Sequence, residues 1–427
     1  MEDSNVPPAK FSTRVIFTFF GLSSLLGFNV LLTEMNFFNN YLDEMNPSLV
    51  FNFLNYVLNI PFQFLLLWKK DFLSLKTELI IALVGSIIFL ILIPLSTMTL
   101  GVNTQANKIV TGGLVVLMGF INALCSGGFY SLVSNFPLEM IVILTTCQAI
   151  SGIVLNIIQY IILWSSGADG DIVIQAWIFF GISILIIAIS LFFLLISFNS
   201  EYFQYYLNKS KNKEEEANSS LQGDTQPEDQ LEVVQEKAPT EKGWFMQLFK
   251  KIWDLDLLVI YLYIVTFTLY PNASINQQVF DWTPPYSINT VIFVYNIFDT
   301  LGRLLVGKIT PSKKLNTIVI LGRSFLLFTV VFNYYCQDGL EWDPTLTTIL
   351  LFINMAIFAS TNGIGTTLCF ALAPNEVEDK YKGQAGTSIS FFLIVGIFIG
   401  SLTAFITNAI INTFKKEVKI NAFNNYN

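Results

Sequence analysis

Histidine is absent from the 427 residues. That single absence removes histidine proton relays, Ser-His triads and most zinc sites. Cysteine is scarce: Cys125, Cys147, Cys336 and Cys369 are scattered, mostly inside apolar stretches, with neither a disulfide framework nor metal-ligand spacing. Charge is thin as well, at 13 % of residues against roughly 25 % in a soluble domain. No basic patch with interleaved aromatics occurs, which argues against a nucleic acid polymer as partner. An intramembrane aspartyl enzyme needs two facing Asp residues, and Asp299 alone lies well inside an apolar span. The expectation is a protein that is not an enzyme and needs no cofactor or metal.

What fills the chain instead is apolar: 53 % hydrophobic residues and a mean hydropathy of +0.59. This is the composition of an all-α polytopic membrane protein. Apolar spans fall at 13–35, 49–68, 78–98, 110–136, 140–165 and 173–198, then at 253–272, 287–307, 315–336, 345–373 and 384–413. Each approaches the ~20 residues that cross a bilayer core, so eleven transmembrane helices are expected. The chain divides into a polar tail 1–12, a six-helix bundle 13–198, an acidic linker 199–243, an interfacial helix with a five-helix bundle 244–413, and a tail 414–427. The linker concentrates ten Asp/Glu and five Lys between Glu201 and Lys242, with too few apolar residues to fold alone. Trp244, Leu248 and Ile252 recur every four residues, beside Phe245, Phe249 and Trp253, as in a helix lying at the membrane surface. Lysine sets the orientation. Lys69, Lys70, Lys76, Lys308, Lys313, Lys314, Lys380 and Lys382 fall in loops on one side, and Lys108 alone on the other. Positive charge stays inside, so the N-terminus and the 199–243 loop are expected in the cytoplasm and the C-terminus outside.

Within the apolar 291–308 stretch lie Asn296, Asp299 and Arg303, within about 60° of one another on a helical face. An ionised side chain near the bilayer centre costs roughly 2.5–3.5 kcal/mol on insertion scales, so such a pair must face protein or water. Two readings stay open, the wall of a solute pathway or a self-neutralising ion pair that braces the bundle. Polar or small stripes mark other spans. Phe28, Asn29 and Leu32 cluster on the first, while Glu34 falls on the far side and is expected at the surface or in packing rather than in proton coupling. Gly119, Ala123, Ser126 and Gly127 share a side of the fourth, and Gln148, Gly152, Asn156 and Gln159 line the fifth. Ser388, Phe392, Gly396 and Gly400 form a packing seam on the last. Gly302 to Lys308 spells GxxxxGK, yet Ile309 stands where a phosphate loop needs Ser or Thr, and no strand precedes it.

Several of these segments resemble the equilibrative nucleoside transporter family. GLSSLLGFNVLLTEMNFFNNYL is similar to its opening helix, with Phe28 at the usual Trp position and Asn29 kept. CSGGFYSLVSNFP resembles the fourth-helix segment with Ser126 in place of Gln, and CQAISG the fifth through Gln148 and Gly152. Tyr270-Pro271 resembles the Phe-Pro of the seventh helix, YNIFDTLGR matches the eighth-helix motif nearly throughout, and Arg323 and Asn333 fit the ninth. FASTNGIGTTLCFALAP and KGQAGTSISFFLIVGIFIGS resemble the last two helices. The resemblance implies a major-facilitator-like carrier of 6+5 helices that moves nucleosides, sometimes nucleobases, down their gradients. It implies a substrate site of Phe28, Asn29, Leu32, Ser126, Gln148, Asn296, Asp299 and Arg303. The carrier is expected to work as a monomer in the lipid bilayer of the plasma membrane. A carrier of another polyhydroxy solute such as a sugar, or a proton-coupled nucleoside symporter, is the alternative.

Overall fold

The computed structural model describes residues 10–45, 47–69, 73–166, 171–208, 244–270, 279–280, 282–338 and 342–425. Among them the regular structure is helical throughout. The helices are α1 Phe11–Ser24, α2 Leu26–Thr33, α3 Met35–Leu42, α4 Pro47–Trp68, α5 Leu75–Thr99, α6 Gln105–Val133, α7 Leu138–Ser166 and α8 Ile172–Ser197. Then follow α9 Trp244–Leu269, α10 Pro284–Val306, α11 Lys313–Gly322, α12 Phe325–Asp338, α13 Pro344–Leu372 and α14 Lys382–Asn425. The expected linker falls largely on 209–243, outside the described residues.

Helix starts are written locally. Ser74, Thr104, Asp171 and Asp343 cap α5, α6, α8 and α13, each side-chain oxygen accepting from backbone N–H groups of the first turn. Pro284 and Pro344 open α10 and α13, where a missing N–H costs nothing. Among the described residues eight helices have the length and hydropathy of a membrane span, and the α1–α2 pair, bent by 45°, makes a ninth. Of the eleven spans expected, those at α10 and the α11–α12 pair are not among these nine. The first is diluted by Asn289, Asn296, Asp299 and Arg303, and the second is interrupted at Arg323 and Ser324. Hydropathy alone therefore counts nine, because the polar residues that matter most sit where the count looks for oil.

One feature departs from the sequence expectation, and one open alternative is decided. The interfacial helix is the first turns of a continuous α9: Leu248, Ile252 and Leu255 are buried on one side, and Trp244 stacks on Tyr381 at 6.1 Å. Of surface and packing, the two places expected for Glu34, it takes packing: it is 4 % exposed at the α2–α3 junction, and its Oε1 has no hydrogen-bond partner among the described residues.

The α1–α2 bend has a local cause. Ser23 and Ser24 return their hydroxyls to Phe20 and Gly21 carbonyls, and Leu25 then leaves helical geometry at φ −121°, ψ 3°. Serine bonds back into the preceding turn bend helices. The bend tilts α2 against α7, where Asn29 Nδ2 donates to Ser151 Oγ at 3.1 Å. Between the two halves of the chain, α7 packs on α10, and α14 packs on α4 and α6. The α10–α13 crossing is close because two glycines permit it. A β-carbon on Gly302 would collide with the Ser360 carbonyl, and one on Gly363 with the Asp299 carbonyl. At the lysine-rich end, Lys313 pairs with Asp254 at 3.1 Å and Glu376 at 3.2 Å, and Lys382 with Asp379 at 2.8 Å. These are half-exposed pairs and each contributes little on its own.

Candidate functional site

A cavity of about 370 Å³ lies between the halves. Phe28, Asn29, Leu32, Ser126, Gln148, Asn296, Asp299 and Arg303 all line it. It runs from Tyr130 and Arg303 toward the end opposite the lysine loops, where the exposed Asn39 also lines it.

Its floor is a charged network. Arg303 Nε donates to Asp299 Oδ2 at 2.8 Å, and its Nη1 donates to the Thr145 carbonyl at 2.9 Å and to Gln148 Oε1 at 3.1 Å. The other Asp299 oxygen accepts from Asn362 Nδ2 at 2.8 Å. Asn362 Oδ1 in turn accepts from Thr266 Oγ1 at 2.8 Å and from Arg323 Nη1 at 3.2 Å. Arg323, at 2 % exposure, also donates to the Leu262 and Phe358 carbonyls and lies 4.4 Å over the Phe358 ring. One carboxylate thus serves two buried guanidinium groups, directly and through an amide.

Above the floor the walls divide into amides and rings. Asn296 Nδ2 donates to Asn156 Oδ1 at 2.8 Å, and Asn156 Nδ2 to Asn289 Oδ1 at 2.6 Å. The Gln148–Gly152–Asn156–Gln159 stripe of α7 therefore meets α10, with a β-carbon at Gly152 standing only 2.6 Å from Asn296 Nδ2. Across the cavity Asn122 Nδ2 donates to Asn55 Oδ1 at 2.8 Å, and Gln63 Nε2 to Ser126 Oγ at 2.6 Å and Ser390 Oγ at 3.0 Å. The rings are Phe28, 5.9 Å from Tyr56, and Tyr270 stacked on Tyr295 at 3.9 Å. Tyr56, Tyr130, Tyr263, Tyr270, Tyr295 and Asn362 line the cavity but were not singled out as site residues from sequence. A tyrosine in a membrane helix carries no signal apart from its neighbours, and Asn362 only gains meaning once α13 is seen against Asp299. Glu34 is not among the lining residues, although Thr33 and Met35 are.

Helices crossing around a central polar cavity, with a charged pair at its floor and two halves meeting across it, make up a major-facilitator-like fold. The fold agrees with a solved major-facilitator proton:xylose symporter, with a TM-score of 0.61 over 95 % of this chain and 89 % of that one at 14 % identity. The chain belongs to the nucleoside transporter family, whose model matches residues 113–409. It is similar to the equilibrative nucleoside transporter 1 of Rattus norvegicus, 23 % identical over 96 % of this chain and all of that one. It is also similar to the equilibrative nucleoside transporter 2 of Homo sapiens, 24 % identical over 93 % of this chain and 97 % of that one. The protein is accordingly a membrane-embedded carrier and not an enzyme.

Proposed function

We propose that the chain carries nucleosides by alternating access and facilitated diffusion, with Phe28, Asn29, Leu32, Ser126, Gln148, Asn296, Asp299 and Arg303 as the substrate contacts. The observation that carries this reading is the Asp299–Arg303 pair at the floor of a ring-lined cavity. Vicinal ribose hydroxyls donate to the carboxylate and accept from the guanidinium. The flat faces of a base pack between Phe28 with Tyr56 on one side and Tyr270 with Tyr295 on the other, while Gln148 meets an edge. A sugar satisfies the charged pair equally well but leaves these rings without a flat partner, so the nucleoside is favoured. The pathway lies within one chain, which supports a monomer as the working unit.

A neutral solute needs no ion. Asp299 is committed to Arg303 and Asn362, and Glu34 lies off the cavity wall. Labelled adenosine should therefore enter proteoliposomes until inside and outside concentrations match, at equal pH, with little change when an inward proton gradient is imposed. Accumulation above equilibrium that collapses with a protonophore would instead establish a proton-coupled symporter.

The protein is proposed to lie in the plasma membrane, and the lysine asymmetry supports an orientation with the lysine-rich end in the cytoplasm and the cavity mouth outside. A Ser219→Cys variant lacking other accessible cysteines should react with an impermeant maleimide only after cells are permeabilised. Reaction in intact cells would reverse the orientation.

A further inference from the structure

Below Arg303, toward the lysine-rich end, two rings from opposite halves of the chain meet. Tyr130 of α6 stacks on Phe370 of α13, with centroids 3.6 Å apart and planes within 6°. Tyr130 lines the large cavity. Ser134, one turn further along, and Ala371, next to Phe370, line a second cavity of about 220 Å³ with Asn135, Asn375 and Lys382. The stack thus stands between residues that line the two cavities, with one ring from each half of the chain. Gly386 of α14 seals its flank. A β-carbon there would collide with Ser134 Oγ and stand 2.5 Å from the Tyr130 carbonyl.

The stack is wired to the site. The Tyr130 hydroxyl donates to Gln148 Oε1, the same atom that accepts from Arg303 Nη1 at 3.1 Å. An amide oxygen has two lone pairs, and both are taken. A substrate N–H that reaches this oxygen must displace one donor. The Arg303 bond is charge-assisted and roughly twice as strong as the neutral Tyr130 bond, so the tyrosine gives way.

We propose that Tyr130 and Phe370 are the cytoplasmic gate, and that substrate opens it by taking the Gln148 oxygen from the Tyr130 hydroxyl. The trigger rests on the nucleoside site proposed above, whereas the gate does not. With Gln148 claimed, the hydroxyl holds no bond within its own half. The stack is then free to part as the α6–α14 seam opens, and the two cavities join into an exit.

The test is accessibility from the cytoplasmic side. An Ala149→Cys variant, with the four native cysteines replaced by alanine, places one thiol in the large cavity above the stack. In inside-out vesicles an impermeant maleimide reaches it only through the gate. Tyr130→Phe keeps the ring and removes the hydroxyl, and should raise the ligand-free labelling rate roughly two- to tenfold, the range of one net hydrogen bond. Phe370→Ala should raise it further. Adenosine should accelerate labelling in the Tyr130 protein and have no further effect in Tyr130→Phe. Unchanged ligand-free labelling in both variants would overturn the gate. Faster labelling in both, with adenosine inert on the parent, would keep the gate and overturn the nucleoside trigger.

Discussion

Asp299→Asn should be the most damaging single change in the floor of the cavity, and adding Arg303→Gln to it should restore folding but not transport. The reason is charge arithmetic. Asp299, Arg303 and Arg323 share one network, with one negative and two positive groups linked through Asn362. Asp299→Asn leaves two buried guanidinium groups with no anion, whereas Arg303→Gln leaves Asp299 facing Arg323 through Asn362. The double variant returns the network to the charge it had at the start. Breaking one side of a buried pair typically costs 3–5 kcal/mol, and removing both together is often tolerated. Monodisperse yield by fluorescence-detected gel filtration should therefore rank Asp299→Asn below Arg303→Gln, with the double variant near wild type. Uptake by the double variant should stay low, because each charge-assisted bond to the ribose is worth roughly 1.5–3 kcal/mol. Recovery of uptake together with yield would make the pair a brace of the bundle rather than a contact of the substrate.

Much of this cavity's lining was legible because polarity is conspicuous in oil. Asn296, Asp299 and Arg303 cannot face lipid, and the α7 stripe through Gln148, Asn156 and Gln159 has no reason to exist unless it meets another polar surface. The structure supplies that surface in Asn289 and Asn296 of α10. The seam on the last span was legible for a different reason, since small residues four apart mark close backbones. Gly396 and Gly400 do lie against Ile260 and Tyr263 of α9. What could not be read were pairings between distant segments. Gln63 reaches Ser390 across 327 positions, and Tyr130 finds Phe370 across the interface of the halves. No periodicity within one helix encodes either. Glu34 shows the same limit from the other side: its angle from Leu32 placed it off the cavity, as observed, but burial against neighbouring helices is not written in that angle. The helix breaks at Leu25 and Arg323 were hidden too, since an apolar run reads alike whether it is straight or broken.

The most direct measurement is competition against labelled adenosine uptake by the unaltered carrier, with adenosine, 2′,3′-dideoxyadenosine and glucose as unlabelled rivals. The dideoxy compound keeps the base and the ring but lacks both hydroxyls that Asp299 and Arg303 are proposed to read. Losing two bonds to charged groups should weaken it by at least tenfold, since 1.4 kcal/mol is a factor of ten and each bond is worth roughly that or more. Glucose, which offers hydroxyls but no flat base to the Phe28, Tyr56, Tyr270 and Tyr295 rings, should compete weakly at most. The account predicts the order adenosine, then dideoxyadenosine, with glucose last. Equal inhibition by adenosine and its dideoxy analogue would remove the charged pair from substrate recognition, and stronger inhibition by glucose would replace the nucleoside with a sugar.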